Sequence, residues 1–325
     1  MSSVTCDIER VANIENSVFL HFSEILMLFL SILAIPITLW AFVKCIRTSF
    51  FHINIRLIGG LHCVCLLIHC FGRFIQHFSS LYLWMSSLPE CDKQHYVNTC
   101  LIAHSMYNFG MYSSSCTSVL MVVERTVATK YYKKYQNKSW HLGVFLVVFQ
   151  ILLSFLITFM FSKNSDFGER PIYCFSDNQL EWALSCKFLM ILLNVLALLQ
   201  CWRLDRINRH LRVNNNVTDL TQKFQVEENK TLVKVMIRFT ILDFVFMVAF
   251  FLFGFLVQIW SKTFEEPVFL GVFELIHCVP VYAIVVLISM AITIRNIQNK
   301  KTEKIFEEVQ IKDEAYFEWI QKQWA

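Results

Sequence analysis

The stretch Ser17–Val43 has the sequence SVFLHFSEILMLFLSILAIPITLWAFV and contains a single charged residue, Glu24. As an α-helix it would be about 40 Å long, which exceeds the roughly 30 Å of hydrocarbon in a bilayer. The whole chain has the same character, since 56% of its 325 residues are apolar, 17% are charged and 31 are Phe. Soluble proteins carry more charge than this. The sequence therefore predicts an integral membrane protein and excludes a disordered or ordinary cytosolic chain.

Six further windows are similar, and each holds at most one charged residue: Leu57–Trp84, Val97–Val123, Trp140–Phe161, Trp182–Trp202, Phe239–Trp260 and Val268–Ile294. Their apolar residues are continuous rather than alternating, which favours spanning helices over the strands of a barrel. We predict an all-α membrane protein, a bundle of seven transmembrane helices. Residues 1–16 would form the N-terminus, 17–294 the transmembrane domain and 295–325 the C-terminal tail.

The distribution of Lys and Arg predicts the orientation of the bundle. The connections 44–56, 125–139 and 203–238, together with the tail 295–325, hold 22 of these residues, against 5 in the segments of the other side. Basic residues accumulate on the cytoplasmic side. The N-terminus should therefore lie outside and the C-terminus in the cytoplasm. The three glycosylation sequons, at Asn137, Asn216 and Asn229, then lie on the cytoplasmic side, and we expect none to carry glycan.

Four of the 12 cysteines lie in predicted outer segments or at a helix mouth: Cys6, Cys91, Cys100 and Cys174. The exterior is oxidising, and four cysteines allow three pairings. A bond between Cys100 and Cys174 would hold the longest outer loop across the bundle mouth and leave Cys6 to pair with Cys91. The alternative is one disulfide and two free thiols.

Four charged residues lie at a similar depth in the outer half of the predicted bundle: Glu24, Arg73, Lys187 and Glu274. An ionisable side chain in hydrocarbon is costly and requires a partner or a cavity. We predict that these residues form a polar floor, with Arg73 paired to Glu274 or Glu24. A structural ion pair without ligand contact is the alternative.

A polar stripe in the third window consists of His104, Asn108 and Tyr112, spaced four residues apart on one helical face. With Arg73, Lys187 and Glu274 these residues are our candidate ligand contacts, although histidines inside bundles are more often packing residues. The histidines and cysteines of the second window do not suggest a metal site, because Cys63 and Cys65 point in nearly opposite directions on a helix. No cofactor motif is present.

At the inner end of the third window lie Glu124 and Arg125, and Asp243 lies near the inner end of the sixth. Arg125 would be held by Asp243 or by Glu124 at rest and released on activation, which is a two-state element. The alternative is that Arg125 is one more basic residue of the cytoplasmic side.

Short stretches along nearly the whole chain form a recognisable set: Cys6–Ala12, Phe51–Asn54, Leu67–Arg73, Pro89–Asp92, Tyr107–Gly110, Val123–Thr129 and Lys223–Asn229. Their order resembles the nematode serpentine chemoreceptors of the Sra superfamily, class alpha-beta in particular, with the alpha and epsilon classes as alternatives. The Glu124–Arg125 pair, with Cys100 lying 25 residues before Arg125, is similar to G-protein-coupled receptors in general.

This resemblance implies a multi-pass plasma-membrane receptor of sensory-neuron cilia that binds a small environmental molecule and signals to a heterotrimeric G protein. It implies that Glu124 and Arg125 couple to the G protein and that Cys100 is the disulfide partner in helix three. The sequence departs from the broad rhodopsin-like pattern, because helix six lacks Pro and Trp before Trp260. Helix seven has Pro280-Val-Tyr282 in place of Asn-Pro-x-x-Tyr.

Two other classes of function are less well supported. A channel or transporter would also explain buried charges, but the sequence shows no internal repeat and no pair of Gly/Pro-broken helices. A membrane enzyme such as a zinc hydrolase is disfavoured because HExxH, GxSxG, P-loop and CxxC motifs are missing. Membrane lipid is an expected partner of the basic inner surface, and nothing suggests nucleic-acid binding.

Overall fold

The computed structural model describes residues 8–48, 51–131, 135, 140–163, 171–174, 178–213 and 220–324. These residues form nine α-helices and no strand: α1 (Ile8–Glu15), α2 (Val18–Arg47), α3 (Ile53–Met85), α4 (Val97–Lys130), α5 (His141–Lys163), α6 (Asn178–Val213), α7 (Leu220–Trp260), α8 (Glu266–Ile276) and α9 (Val279–Trp324). A 3-10 turn, Glu90–Asp92, precedes α4. The predicted all-α fold is confirmed.

Within the described residues, six spans are long and apolar enough to cross a membrane: α2, α3, α5, α6, α7 and the pair α8–α9. The seventh, α4, is long enough but more polar, and 20 of its 34 residues are buried. It packs against α3, α5, α6 and α7. A helix surrounded by other helices needs little apolar surface toward lipid, so its polar residues can face the protein interior. The chain is a seven-transmembrane bundle, and its orientation in the membrane remains a prediction.

Two glycines allow α3 and α4 to approach each other closely. A Cβ atom on Gly72 would lie 2.7 Å from the backbone nitrogen of Tyr107, and one on Gly110 would lie 2.4 Å from the Cys65 carbonyl oxygen. Any larger residue would therefore push the two backbones apart. This contact places Arg73, directly after Gly72, against the middle of α4.

The last predicted window, Val268–Ile294, is not one continuous helix as the sequence suggested. It breaks at His277 and Cys278, between α8 and α9. Pro280 explains the break, because its ring nitrogen has no hydrogen to donate to the carbonyl four residues earlier. The His277 amide ends α8 by donating to Phe273 O at 3.3 Å, and the Val279 amide donates to His277 O at 2.8 Å. The break leaves Glu274 in the last turn of α8 and His277 directly after its end.

The helices α6, α7 and α9 extend farthest beyond their predicted windows on the side that we assign to the cytoplasm. α6 continues to Val213, α7 already begins at Leu220, and α9 continues to Trp324. The predicted tail, residues 295–325, is therefore joined to the last span without a break in the helix up to Trp324.

Candidate functional site

Arg73 and Glu274 form an ion pair inside the bundle. The Nη1 of Arg73 lies 2.5 Å from Oε2 of Glu274, and each side chain is 2% exposed. Glu274 also accepts hydrogen bonds at Oε1 from the Gln76 amide (3.0 Å) and the Tyr173 hydroxyl (2.7 Å). Burial, together with the Glu274 carboxylate, raises the pKa of Tyr173, so this hydroxyl stays a donor. Of the two partners predicted for Arg73, the structure selects Glu274.

Glu24 is buried separately from this pair. Its Oε2 lies 3.1 Å from Nδ1 of His21, and its Oε1 accepts a short hydrogen bond from the Ser80 hydroxyl. Glu24 is therefore satisfied by a residue on its own helix and one on α3. The prediction that Glu24 is an alternative partner of Arg73 is wrong.

The predicted stripe on α4 joins the ion pair through an aromatic ring. The guanidinium of Arg73 lies over the Tyr107 ring, 4.4 Å from its centre, which is a favourable cation–π geometry. The Tyr107 hydroxyl lies 2.9 Å from Nδ1 and 2.6 Å from Nε2 of His104, and this Nε2 also lies 2.8 Å from the Cys174 carbonyl oxygen. A carbonyl only accepts, so Nε2 carries the proton in this contact. This chain of contacts connects Arg73 to the loop that carries Cys174.

We call the predicted polar floor, together with the polar stripe on α4, the layer. Lys187 occupies a part of this layer away from Arg73 and Glu274. Its ammonium lies 2.7 Å from Nε2 of His277 and is 2% exposed. The other ring nitrogen of His277 lies 2.9 Å from Phe273 O, so it must be the protonated one, and Nε2 accepts from Lys187. Among the residues that the structure describes, no carboxylate lies within ion-pair distance of Lys187. A buried amine with only a neutral partner lacks the counter-charge that its protonated form requires.

The remaining candidates, Asn108 and Tyr112, lie farther along the stripe and are buried. Tyr112 stacks on Phe161 with ring centres 5.2 Å apart, and its hydroxyl has no hydrogen-bond partner within the described parts of the chain. Two groups thus form in the layer. One contains Arg73, Glu274 and His104, and the other contains Lys187 and His277.

The predicted disulfide between Cys100 and Cys174 is confirmed, with the two Cα atoms 5.2 Å apart. It joins the start of α4 to the loop that carries Tyr173. Cys91 is also disulfide-bonded. Cys6 lies outside the described residues, so its pairing with Cys91 stays a prediction.

We expect Cys174→Ser to destabilise the protein by about 2–5 kcal/mol, the usual range for a native disulfide. The bond spans 74 residues, and the loop that it holds supplies one hydrogen bond to Glu274 and one acceptor to His104. Thermal denaturation of the purified protein would measure the loss. Cys186→Ser, which changes a free cysteine, is the matched control. Equal stability of the two variants would contradict the prediction.

A second buried cluster surrounds Arg125 at the opposite end of α4. Arg125 is 1% exposed, makes two hydrogen bonds to Glu124 and donates a third, at 2.9 Å, to Oδ1 of Asn229 on α7. Tyr135 donates a short hydrogen bond to Glu124 and accepts one from Asn54 at 2.7 Å. Burial and the Glu124 carboxylate raise the pKa of Tyr135, which keeps its hydroxyl protonated.

Of the two partners predicted for Arg125, the structure selects Glu124. Asp243 instead accepts a hydrogen bond of 3.1 Å from Tyr282 on α9, so its assignment to Arg125 is wrong. Four residues of these sites were not among the predicted site residues: Tyr173, His277, Tyr135 and Asn229. Two of them had a detectable signal, because Tyr173 directly precedes a disulfide cysteine and His277 lies one helical turn after Glu274.

Comparison with known proteins identifies the family. A family model described as the serpentine type 7TM GPCR receptor class ab chemoreceptor matches residues 5–325. This chain belongs to that family. It is also similar to the serpentine receptor class beta-6 of Caenorhabditis elegans, with 22% identity over 317 residues, covering 94% of this chain and 92% of the relative. The expected resemblance to nematode class alpha-beta chemoreceptors is confirmed, and the chain is a membrane chemoreceptor by family.

Proposed function

We propose that this serpentine chemoreceptor binds a small molecule with an anionic or hydrogen-bonding group in the layer around Lys187 and His277, and that it signals to a heterotrimeric G protein. The observation that carries the proposal is the buried ammonium of Lys187, which contacts an imidazole at 2.7 Å and no described carboxylate. A ligand carboxylate would supply the missing counter-charge. His104, Asn108 and Tyr112, together with the Arg73–Glu274 pair, would form the rest of the site.

The ligand would act by favouring one of two helix arrangements, and it can do so only through different affinities for them. Two observations support a link between the layer and the far side of the bundle. The layer residues lie on α3, α4, α6 and α8, and α4 continues directly to Glu124 and Arg125. By family, we place the receptor in the plasma membrane of sensory-neuron cilia, with the Arg125 cluster as the G-protein coupling site.

A screen of small acids and neutral odorants in cells, with calcium or cAMP as the signal, tests this proposal. We expect Lys187→Met to raise the concentration of an acidic agonist needed for response by about 10- to 100-fold, the value of a hydrogen bond to a charged group. Lys163→Met is the control, because Lys163 is exposed at the end of α5. Arg125→Ala should abolish signalling to every agonist.

Three results would contradict the proposal. The first is an acid response that Lys187→Met leaves unchanged, and the second is signalling that survives Arg125→Ala. The third is a ligand-gated current in a host without G proteins, which would indicate a channel.

The orientation that this mechanism requires is tested by glycan mapping. We expect an epitope at the N-terminus to be accessible on intact cells and no glycan at Asn137, Asn216 or Asn229. Asn229 is also 1% exposed and bonded to Arg125, whereas Asn137 and Asn216 lie outside the described residues. A mobility shift after glycosidase treatment of the wild type would contradict the orientation.

A further inference from the structure

A cavity of about 570 Å³ lies in the half of the bundle opposite the Arg73–Glu274 pair, between α2, α3, α4, α7 and α9. Its volume is within the range of small-molecule sites. The wall is mainly apolar and includes Phe51, Ile55, Met121, Met236, Phe239 and Leu287. No residue of the candidate ligand layer lines it. The cavity is therefore separate from the site of the proposed function.

Part of the cavity wall is formed by side chains that are exposed on the surface of the bundle. Trp40 on α2 lines the cavity and is 47% exposed, while Ile288 and Ile292 on α9 line it and are 42% and 55% exposed. Large apolar side chains that are exposed on a spanning helix face the lipid. A hydrocarbon chain of the bilayer can thus reach the cavity without crossing water.

This exposed part of the wall also carries positive charge at one end. Lys44, in the last turn of α2, and Arg295 on α9 both line the cavity and are exposed. Within the described residues, neither forms an ion pair. Lys44 does contact the Trp40 ring, with its ammonium 5.9 Å from the ring centre. An apolar groove that ends in two uncompensated cations matches an amphiphile with an anionic head.

We propose that this cavity holds an acyl chain of an anionic membrane phospholipid, with the headgroup phosphate between Lys44 and Arg295. Because the cavity borders the lipid, this occupant is favoured over a water-soluble anion. Because the cavity wall is apolar, this occupant is also favoured over an acidic protein segment. The bound lipid would fill the space that α2, α7 and α9 leave beside their contacts and so add packing between these helices.

Native mass spectrometry of the purified, ligand-free receptor tests the proposal with two probes, dioleoyl phosphatidylserine and dioleoyl phosphatidylcholine. We expect retention of one phosphatidylserine, preferred over phosphatidylcholine by about 30-fold, as two basic residues near a membrane surface would give. K44Q/R295Q should remove the preference. Ala291→Trp, which fills the apolar part and keeps both cations, should remove the retained lipid.

The matched control is K130Q/R203Q, which removes two exposed basic residues that do not line the cavity. It should retain the lipid as the wild type does. All variants must first show a wild-type melting temperature and a single size-exclusion peak, and Ala291→Phe replaces Ala291→Trp if the larger residue fails this test. Equal retention of both lipids by the wild type would overturn the proposal, as would retention by the filled variant.

A third result would also overturn the lipid assignment. If K44Q/R295Q reduces G-protein activation and leaves lipid retention unchanged, the cavity belongs to the coupling surface. Because the lipid measurement uses neither an agonist nor a G protein, its outcome is independent of the proposed ligand site.

Discussion

Replacing Glu274 with Gln is expected to remove most of the folded receptor from the cell surface. The substitution leaves the Arg73 guanidinium, 2% exposed, without its anionic partner at 2.5 Å. Breaking a buried ion pair by removing one charge costs about 3–5 kcal/mol, because the remaining charge stays buried and uncompensated. A protein has only about 5–15 kcal/mol of net stability. Surface labelling of intact cells and thermal denaturation in detergent would measure the loss.

Two variants separate this explanation from a general intolerance of substitution. R73M/E274Q removes both charges and keeps an amide oxygen to accept from Gln76 and Tyr173, so it should recover much of the lost stability. Arg10→Gln breaks the ion pair with Glu266, whose side chains are 55% and 39% exposed, and should have little effect. The explanation fails if the double variant is less stable than Glu274→Gln alone.

The spanning helices and the Arg73–Glu274 pair were both predictable from the sequence because of the hydrocarbon interior of the bilayer. The bilayer fixes how long and how apolar a span must be, and it makes each buried charge require a partner. The depth of a residue in the membrane follows from its position along a helix. Glu24 and Glu274 have similar predicted depths, so both were possible partners for Arg73. The choice between them depends on the rotation of α2 and α8 about their axes, and a single sequence does not encode this directly.

Contacts made by irregular segments could not be predicted from the sequence either. Tyr173 reaches Glu274 from an outer loop, and Tyr135 reaches Glu124 from the segment between α4 and α5. Neither position follows from helical periodicity, because loop residues have none. The break at His277 had a sequence signal in Pro280, but a proline within a span can also leave the helix continuous, as Pro36 does in α2.

Five of the seven stretches that carry the family resemblance converge at two places in the structure. Leu67–Arg73 and Tyr107–Gly110 meet where Arg73 lies over Tyr107, in the outer polar layer. Phe51–Asn54, Val123–Thr129 and Lys223–Asn229 meet around Arg125, through the bonds of Asn54 to Tyr135 and of Asn229 to Arg125. Residues that are distant in sequence thus form one cluster at each end of α4. This arrangement is what a receptor requires if it binds at one end and signals at the other.

The second large effect is expected from Asn229→Ala, which should raise signalling in the absence of agonist about 10-fold. Asn229 is the contact by which α7 holds Arg125. If this bond forms only in the resting state, its loss destabilises that state relative to the active one. The expected change is about 1.5–3 kcal/mol, the value of a hydrogen bond to a charged group. A shift of about 1.4 kcal/mol already changes a population ratio 10-fold. Basal cAMP or calcium, normalised to surface receptor, is the measurement.

Three matched variants make this prediction specific to the Arg125 contact. Asn229→Asp converts the hydrogen bond into an ion pair with Arg125 and should lower basal signalling, the opposite sign. Asn208→Ala removes a buried amide that bonds Thr129 on the same side of the bundle and should leave basal signalling unchanged. Thr231→Ala removes the same glycosylation sequon while keeping the amide of Asn229, so it should behave as wild type. Equal basal signalling in Asn229→Ala and Asn208→Ala, or an increase in Asn229→Asp, would show that this bond does not hold the resting state.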